Sequence, residues 1–166
     1  LVVGAGLAGA SVAASLARRG WQVQVLDAGA TPAAGASGLP AGVLAPHVSP
    51  DDSLLSRLSR AGVRATLQQA HTHLAQGVDW QPSGVLEHRV DGSPGIGAAA
   101  NASSQPASAT TLAAAGLPPD AVGCWHSPAG WIKPAQLVQA LLAQPGIHFV
   151  PHTPVAQLVP EPDGWQ

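Results

Sequence analysis

The chain has 166 residues, 46% hydrophobic and only 10% charged, which excludes a disordered segment and suffices to bury a core of one domain or one and a half. Its formal net charge of −2 argues against a nucleic-acid surface made from this stretch alone. No apolar run is long enough to span a membrane and nothing resembles a signal peptide, while Cys124, the single cysteine, excludes an internal disulfide and agrees with a cytoplasmic location.

The first 27 residues carry the strongest signal. Leu1-Val2-Val3 reads as a strand, Gly4-Ala5-Gly6-Leu7-Ala8-Gly9 as a glycine turn opening a helix, and Val23-Gln24-Val25-Leu26 as a second strand capped by Asp27. Each glycine has its own task in a dinucleotide-binding unit. Gly4 reverses the chain off the strand, Gly6 lets a pyrophosphate approach the backbone, and Gly9 lets the helix lie against the sheet. The helix N-terminus offers unpaired N–H groups to phosphate. Asp27 follows Gly9 by 18 residues, close to the spacing of about 20 at which a carboxylate reaches ribose hydroxyls.

The first helix is expected over about 7–19, with Ala10, Ala14 and Ala17 inward and Gly20 as the left-handed stop. Arg18 and Arg19 fit helix-end solvation better than a 2′-phosphate site. From Ala28 to Pro50 the chain is a long run of Gly, Ala, Pro and Ser. A nicotinamide-binding unit would place a helix there; a long loop with Gly35-Ala36-Ser37-Gly38 and Gly42 suits a second contact to a longer cofactor such as FAD. A flexible surface loop is the alternative.

Asp51 or Asp52 is expected to cap a helix to about Gln76, with Leu54, Leu58, Ala61 and Ala65 as its apolar face. Arg57, Arg60 and Arg64 form a basic stripe, read as a solvated face with RNA contact as the alternative. His71 and His73 point apart on a helix, and none of the seven histidines has metal-ligand spacing, so no metal site is expected. Further strands are expected around Gly84–Glu87, Val122–Trp125, Ile147–Val150 and Val155–Val159, with a helix or loop over 92–116. Ser127–Gly130 reads as a hairpin turn, and Pro134 as the first residue of a helix through Leu142. The chain has no methionine, opens inside a strand and stops at Trp165-Gln166; it is therefore expected to be a piece of a longer protein.

Gly4 through Gly9, Asp27, Gly35-Ala36-Ser37-Gly38 through Gly42, and Gly130-Trp131-Ile132-Lys133-Pro134 together resemble the FAD-dependent D-amino-acid oxidase family. The resemblance covers almost the whole chain and about half of the family's oxidoreductase domain. The Ala36–Pro46 loop and the Ser127–Pro134 segment most resemble its branch that modifies wobble uridine in tRNA. The implied fold is α/β: a Rossmann-type FAD-binding domain over 1–76 and 133–166, interrupted at 77–132 by part of an antiparallel substrate lobe. The implied FAD contacts are Gly4, Gly6, Leu7, Ala8, Gly9, Asp27, Ala36, Ser37, Gly38, Gly42 and Val155, the last through its backbone to the adenine. His47 faces the substrate or is an ordinary surface or core histidine.

The implied chemistry is oxidation of a secondary amine, removing the carboxymethyl group of carboxymethylaminomethyluridine. The resemblance also implies tRNA contacts and a methyltransferase region outside this chain. No residue is assigned as catalytic, and the chain alone is expected not to turn over. Two readings compete: an oxidase or dehydrogenase of glycine, sarcosine or D-amino acids, and a dinucleotide-binding module without turnover.

Overall fold

The computed structural model describes residues 1–90, 96, 101–162, 164 and 165. The elements, in chain order, are β1 (Val2–Val3), α1 (Leu7–Ala17), β2 (Val23–Leu26), a 3-10 turn (Ala36–Gly38), β3 (Gly42–Leu44), α2 (Leu54–His73), β4 (Trp80–Gln81), β5 (Val85–His88), β6 (Ser104–Pro106), α3 (Ala109–Ala114), β7 (Gly123–His126), β8 (Gly130–Ile132), α4 (Pro134–Leu142), β9 (Ile147–Val150), β10 (Pro160–Glu161) and β11 (Gly164–Trp165). They divide into two compact units, Leu1–Pro40 with Lys133–Gln166, and Ala41–Ile132.

In the first unit β1, β2 and β9 form a parallel sheet in that order, with Val2 opposite Val25 and Val25 opposite Phe149. The β-branched Val23 and Val25 are buried while Gln24 between them is exposed, as period two requires. Helix α1 packs on this sheet and against α4, and buries Ala10, Ala13 and Ala14. Ala13 takes the place expected of Ala17, because the helix faces a second helix as well as the sheet. Gly20 stops α1 at φ +88°. Helix α4 begins at Pro134 as expected, and its buried Leu137, Val138, Leu141 and Leu142 recur at helical spacing.

The second unit holds two antiparallel sheets, β3-β8-β4 and β5-β7-β6. Val48, Ile96 and Cys124 cluster inside it.

Several expectations are corrected. The 28–50 run is not all loop, since Gly42–Leu44 pairs with β8. The two compact units divide after Pro40 and before Lys133. Ser53 caps α2, accepting from the Ser56 N–H, in place of Asp51 or Asp52. The expected buried stripe is on the open side of α2, with Leu54 and Leu58 62% and 61% exposed, while Ser56, Val63 and Ala70 face inward. The reason is polar: Ser49 donates its N–H to Ser56 Oγ at 2.9 Å and its hydroxyl contacts the same atom at 2.8 Å, turning that side of the helix inward. Ser127–Gly130 joins strands of two different sheets, so it is a corner and not a hairpin turn. Residues 155–159 are not a strand; the last strands are β10 and β11. Within the expected helix or loop of 92–116, residues 92–95 and 97–100 lie outside the described residues, 104–106 form a strand, and 109–114 form the helix α3.

Candidate functional site

The glycine turn sits at the C-terminal end of β1. Gly4 has φ +95°, a conformation that needs glycine, and its N–H bonds the Leu26 carbonyl at 2.8 Å. A Cβ on Gly9 would lie 1.8 Å from the Gly4 carbonyl oxygen, so only glycine lets the helix start here. Gly6 is the N-cap in extended backbone and offers no side-chain cap. Among the N–H groups of the first turn, which precede the first i→i−4 bond, that of Leu7 donates to Ser37 Oγ at 3.0 Å. Those of Ala8 and Gly9 complete the donor set at the helix mouth.

Asp27 does two jobs in this geometry. Its Oδ2 accepts from the Ala5 N–H at 2.6 Å and its Oδ1 from the Gly29 N–H at 2.7 Å. The carboxylate thus staples the glycine turn to the end of β2. Each oxygen retains a second lone pair, the pair of acceptors that two vicinal ribose hydroxyls need. The Thr153 N–H bonds the Asp27 carbonyl at 2.8 Å, which brings the segment after β9 beside it.

The 3-10 turn gathers Ala36, Ser37 and Gly38. A Cβ on Gly38 would meet the Ala33 carbonyl oxygen at 2.5 Å, and Ala33 donates its own N–H to the Ala5 carbonyl at 3.0 Å. The two glycine segments expected to serve one ligand are therefore tied together, through Ala33–Ala5 and Ser37–Leu7. Val155 lines a cavity of about 610 Å³ with Leu1, Val3, Leu26, Leu158 and Trp165. Gly42 belongs to the second unit, at the start of β3 opposite Ile132. His47 is exposed; its N–H is held by Ser59 Oγ at 2.9 Å. Among the described residues no group of three or more His, Cys, Asp or Glu is placed to hold a metal ion, and no helix is long and apolar enough to cross a membrane.

These residues fit a pyrophosphate-linked dinucleotide: a cradle with no Cβ at its centre, the first-turn amides of Ala8 and Gly9, and a carboxylate with spare acceptors. Residues 1–166 match the family described as FAD dependent oxidoreductase. This chain belongs to that family.

The FAD dependent oxidoreductase chain is 62% identical over 174 residues to the tRNA 5-methylaminomethyl-2-thiouridine biosynthesis bifunctional protein MnmC of Polaromonas sp., covering 100% of this chain and 27% of that protein. The protein of the same name from Pseudomonas putida is 40% identical over 173 residues, with 100% and 26% covered. The chain thus spans about a quarter of the length of these relatives. Among solved structures, glycine oxidase from Geobacillus kaustophilus has TM-score 0.65 at 20% identity, covering 95% of this chain and 47% of that one. The dithionite-reduced L-alpha-glycerophosphate oxidase from Mycoplasma pneumoniae with FAD bound has TM-score 0.68 at 19% identity, covering 97% and 46%. These likenesses establish the fold, and FAD is the family's cofactor.

Sequence reasoning missed the stapling role of Asp27 and the Ser37 cap on Leu7. Both are polar contacts across 22 and 30 residues, and no local pattern announces them.

Proposed function

We propose that this chain is part of an enzyme that oxidises a secondary amine, removing the carboxymethyl group of carboxymethylaminomethyluridine at the tRNA wobble position. The observation that carries the reading is the 62% identity, over the whole chain, to a protein named for tRNA 5-methylaminomethyl-2-thiouridine biosynthesis. In this reading the first unit is the cofactor half and the second belongs to the substrate lobe. Gly6 leaves room for the pyrophosphate, Gly4 and Gly9 let the turn and the helix form beside it, and the Ala8 and Gly9 amides are offered to it while Ser37 holds the Leu7 amide. Ala36 and Gly38 extend the close approach within the first unit, Asp27 takes the ribose and Val155 flanks the adenine.

When bound, FAD supplies an acceptor for the hydride that leaves the carbon next to nitrogen. A C=N bond forms on the substrate, water adds to it, and the C–N bond breaks to give the primary amine and glyoxylate. The chain's part is to hold the cofactor, fix its orientation and keep the turn rigid. Both relatives are bifunctional by name, which supports a second activity and the tRNA contacts lying in other parts of the protein, in the bacterial cytoplasm.

A second reading, oxidation of a free amino acid, is favoured by the net charge of −2 and by the likeness in fold to glycine oxidase. The test incubates the full-length protein with tRNA carrying carboxymethylaminomethyluridine, and separately with glycine, sarcosine and D-alanine. Loss of the carboxymethyl group with glyoxylate release, beside negligible amino-acid turnover, is expected. Fast turnover of any free amino acid with the tRNA untouched overturns the first reading in favour of the second.

A further inference from the structure

The first turn of α1 is capped from far along the chain. A helix leaves its first N–H groups without partners of its own, and the residue before it commonly offers a side-chain oxygen. Gly6 has no side chain to offer, and the first intrahelical bond runs from the Ala10 N–H to the Gly6 carbonyl at 2.9 Å. The Leu7 N–H is served instead by Ser37 Oγ at 3.0 Å, across 30 residues. The backbone that carries Ser37 is fixed. The Gly38 N–H bonds the Gly35 carbonyl at 2.9 Å and closes the 3-10 turn, and the Ala33 N–H bonds the Ala5 carbonyl at 3.0 Å. A Cβ on Gly38 would meet the Ala33 carbonyl oxygen at 2.5 Å, so the turn lies directly on Ala33. Ala33 is itself buried at φ +62°, a left-handed conformation that alanine keeps only where its surroundings impose it. The Ser37 hydroxyl, by contrast, moves by rotation about χ1 alone.

The position of that hydroxyl conflicts with the ligand of the cradle. Ser37 Oγ lies 3.1 Å from the point where a Cβ on Gly6 would stand. The hydroxyl therefore borders the space that the missing side chain leaves, and a phosphate oxygen brought against Gly6 meets it. One N–H also serves one acceptor well, so the Leu7 amide goes either to the hydroxyl or to the phosphate. Charge decides between them. An ionised acceptor makes a bond about twice as strong as a neutral one, and the positive end of the helix dipole adds to that preference.

We propose that Ser37 is an exchangeable cap: its hydroxyl holds the Leu7 amide and the space beside Gly6, and turns aside when a pyrophosphate takes both. Ser37 is then a positioning residue that competes with the cofactor's phosphates and is not a ligand to them. The inference rests on the pyrophosphate cradle assigned above, and not on which amine the enzyme oxidises. A serine cap favours its bonded state by roughly fivefold, and the affinity of a ligand that must displace it is lowered by the same factor.

The test uses the full-length protein stripped of FAD, with ADP and adenosine as probes in titration calorimetry. Ser37→Ala removes the competitor, so ADP should bind roughly fivefold more tightly, while adenosine, which has no phosphate, should bind as it does to the wild type. An ADP affinity unchanged or weakened in Ser37→Ala overturns the proposal, and so does a gain that adenosine shares equally. Gly6→Ala separates the cap from the reading beneath it. If Gly6→Ala binds ADP as the wild type does, the cradle is misassigned and the exchangeable cap falls with it. If Gly6→Ala loses ADP affinity while Ser37→Ala gains none, the cradle stands and the cap alone is overturned.

Discussion

Gly9→Ala tests whether the glycine turn is a packing requirement or merely a sequence habit. Helix propensity alone says that alanine should stabilise α1 by about 1 kcal/mol. Against it, the new Cβ would lie 1.8 Å from the Gly4 carbonyl oxygen. An ordinary C···O separation is about 3.3 Å, so α1 must retreat by roughly 1.5 Å or the turn must open. The obstacle is backbone and cannot rotate aside. A retreat unseats Ala10, Ala13 and Ala14, all 0% exposed. Overpacking of this kind costs about 3 kcal/mol, leaving a net loss of roughly 2 kcal/mol and a Tm lower by about 4–8 °C. Gly62→Ala is the internal control. Gly62 lies within α2 with nothing within 4 Å of an added Cβ, so its Tm should rise by about 2–4 °C. The assay is thermal unfolding followed by circular dichroism. A Gly9→Ala protein that melts at or above the wild type would refute the steric account of the turn.

Other outcomes follow from the same geometry. A Cβ at Gly6 meets only the movable Ser37 side chain, at 3.1 Å, so in Gly6→Ala the fold should persist while flavin absorbance falls; a folded Gly6→Ala protein as yellow as the wild type contradicts the pyrophosphate cradle. Asp27→Ala removes two backbone contacts to a charged group and should cost about 2 kcal/mol in stability, with FAD affinity down at least tenfold, read by denaturant titration and flavin fluorescence. Asp27→Asn should do no better, because its NH₂ end cannot accept an N–H. Burial, and after it the Glu87 carboxylate, push the Cys124 thiol from its ordinary 9.0 up to about 11. The unfolded thiol therefore ionises first, so this contribution to stability is intact below pH 9 and lost as pH rises towards about 11. Cys124→Ala should flatten that alkaline decline in pH-dependent unfolding curves, and an identical decline in the variant would rule it out.

The sequence by itself determined the features that depend on a few adjacent residues. The left-handed Gly4, the stop at Gly20 and the start of α4 at Pro134 follow from backbone sterics and a missing N–H, which no distant contact alters. The dinucleotide motif was legible for the same reason, and so was the alternation that buries Val23 and Val25. Tertiary structure decided whatever needed a partner far along the chain. β2 pairs with β9 and not with the next strand, because the chain runs through a whole second unit before returning. The inward face of α2 was set by Ser49 and Ser56, a polar pair that outweighs the leucine stripe read from periodicity. Ser104, in a run of Ala, Ser and Gly without pattern, became one end of a buried relay only because β6 registers it opposite His126. Spacing singled out Asp27 as the acidic residue after β2, but its staple to Ala5 was not legible. A carboxylate has acceptors enough for both tasks, and only the three-dimensional arrangement of donors around it shows which of them are used.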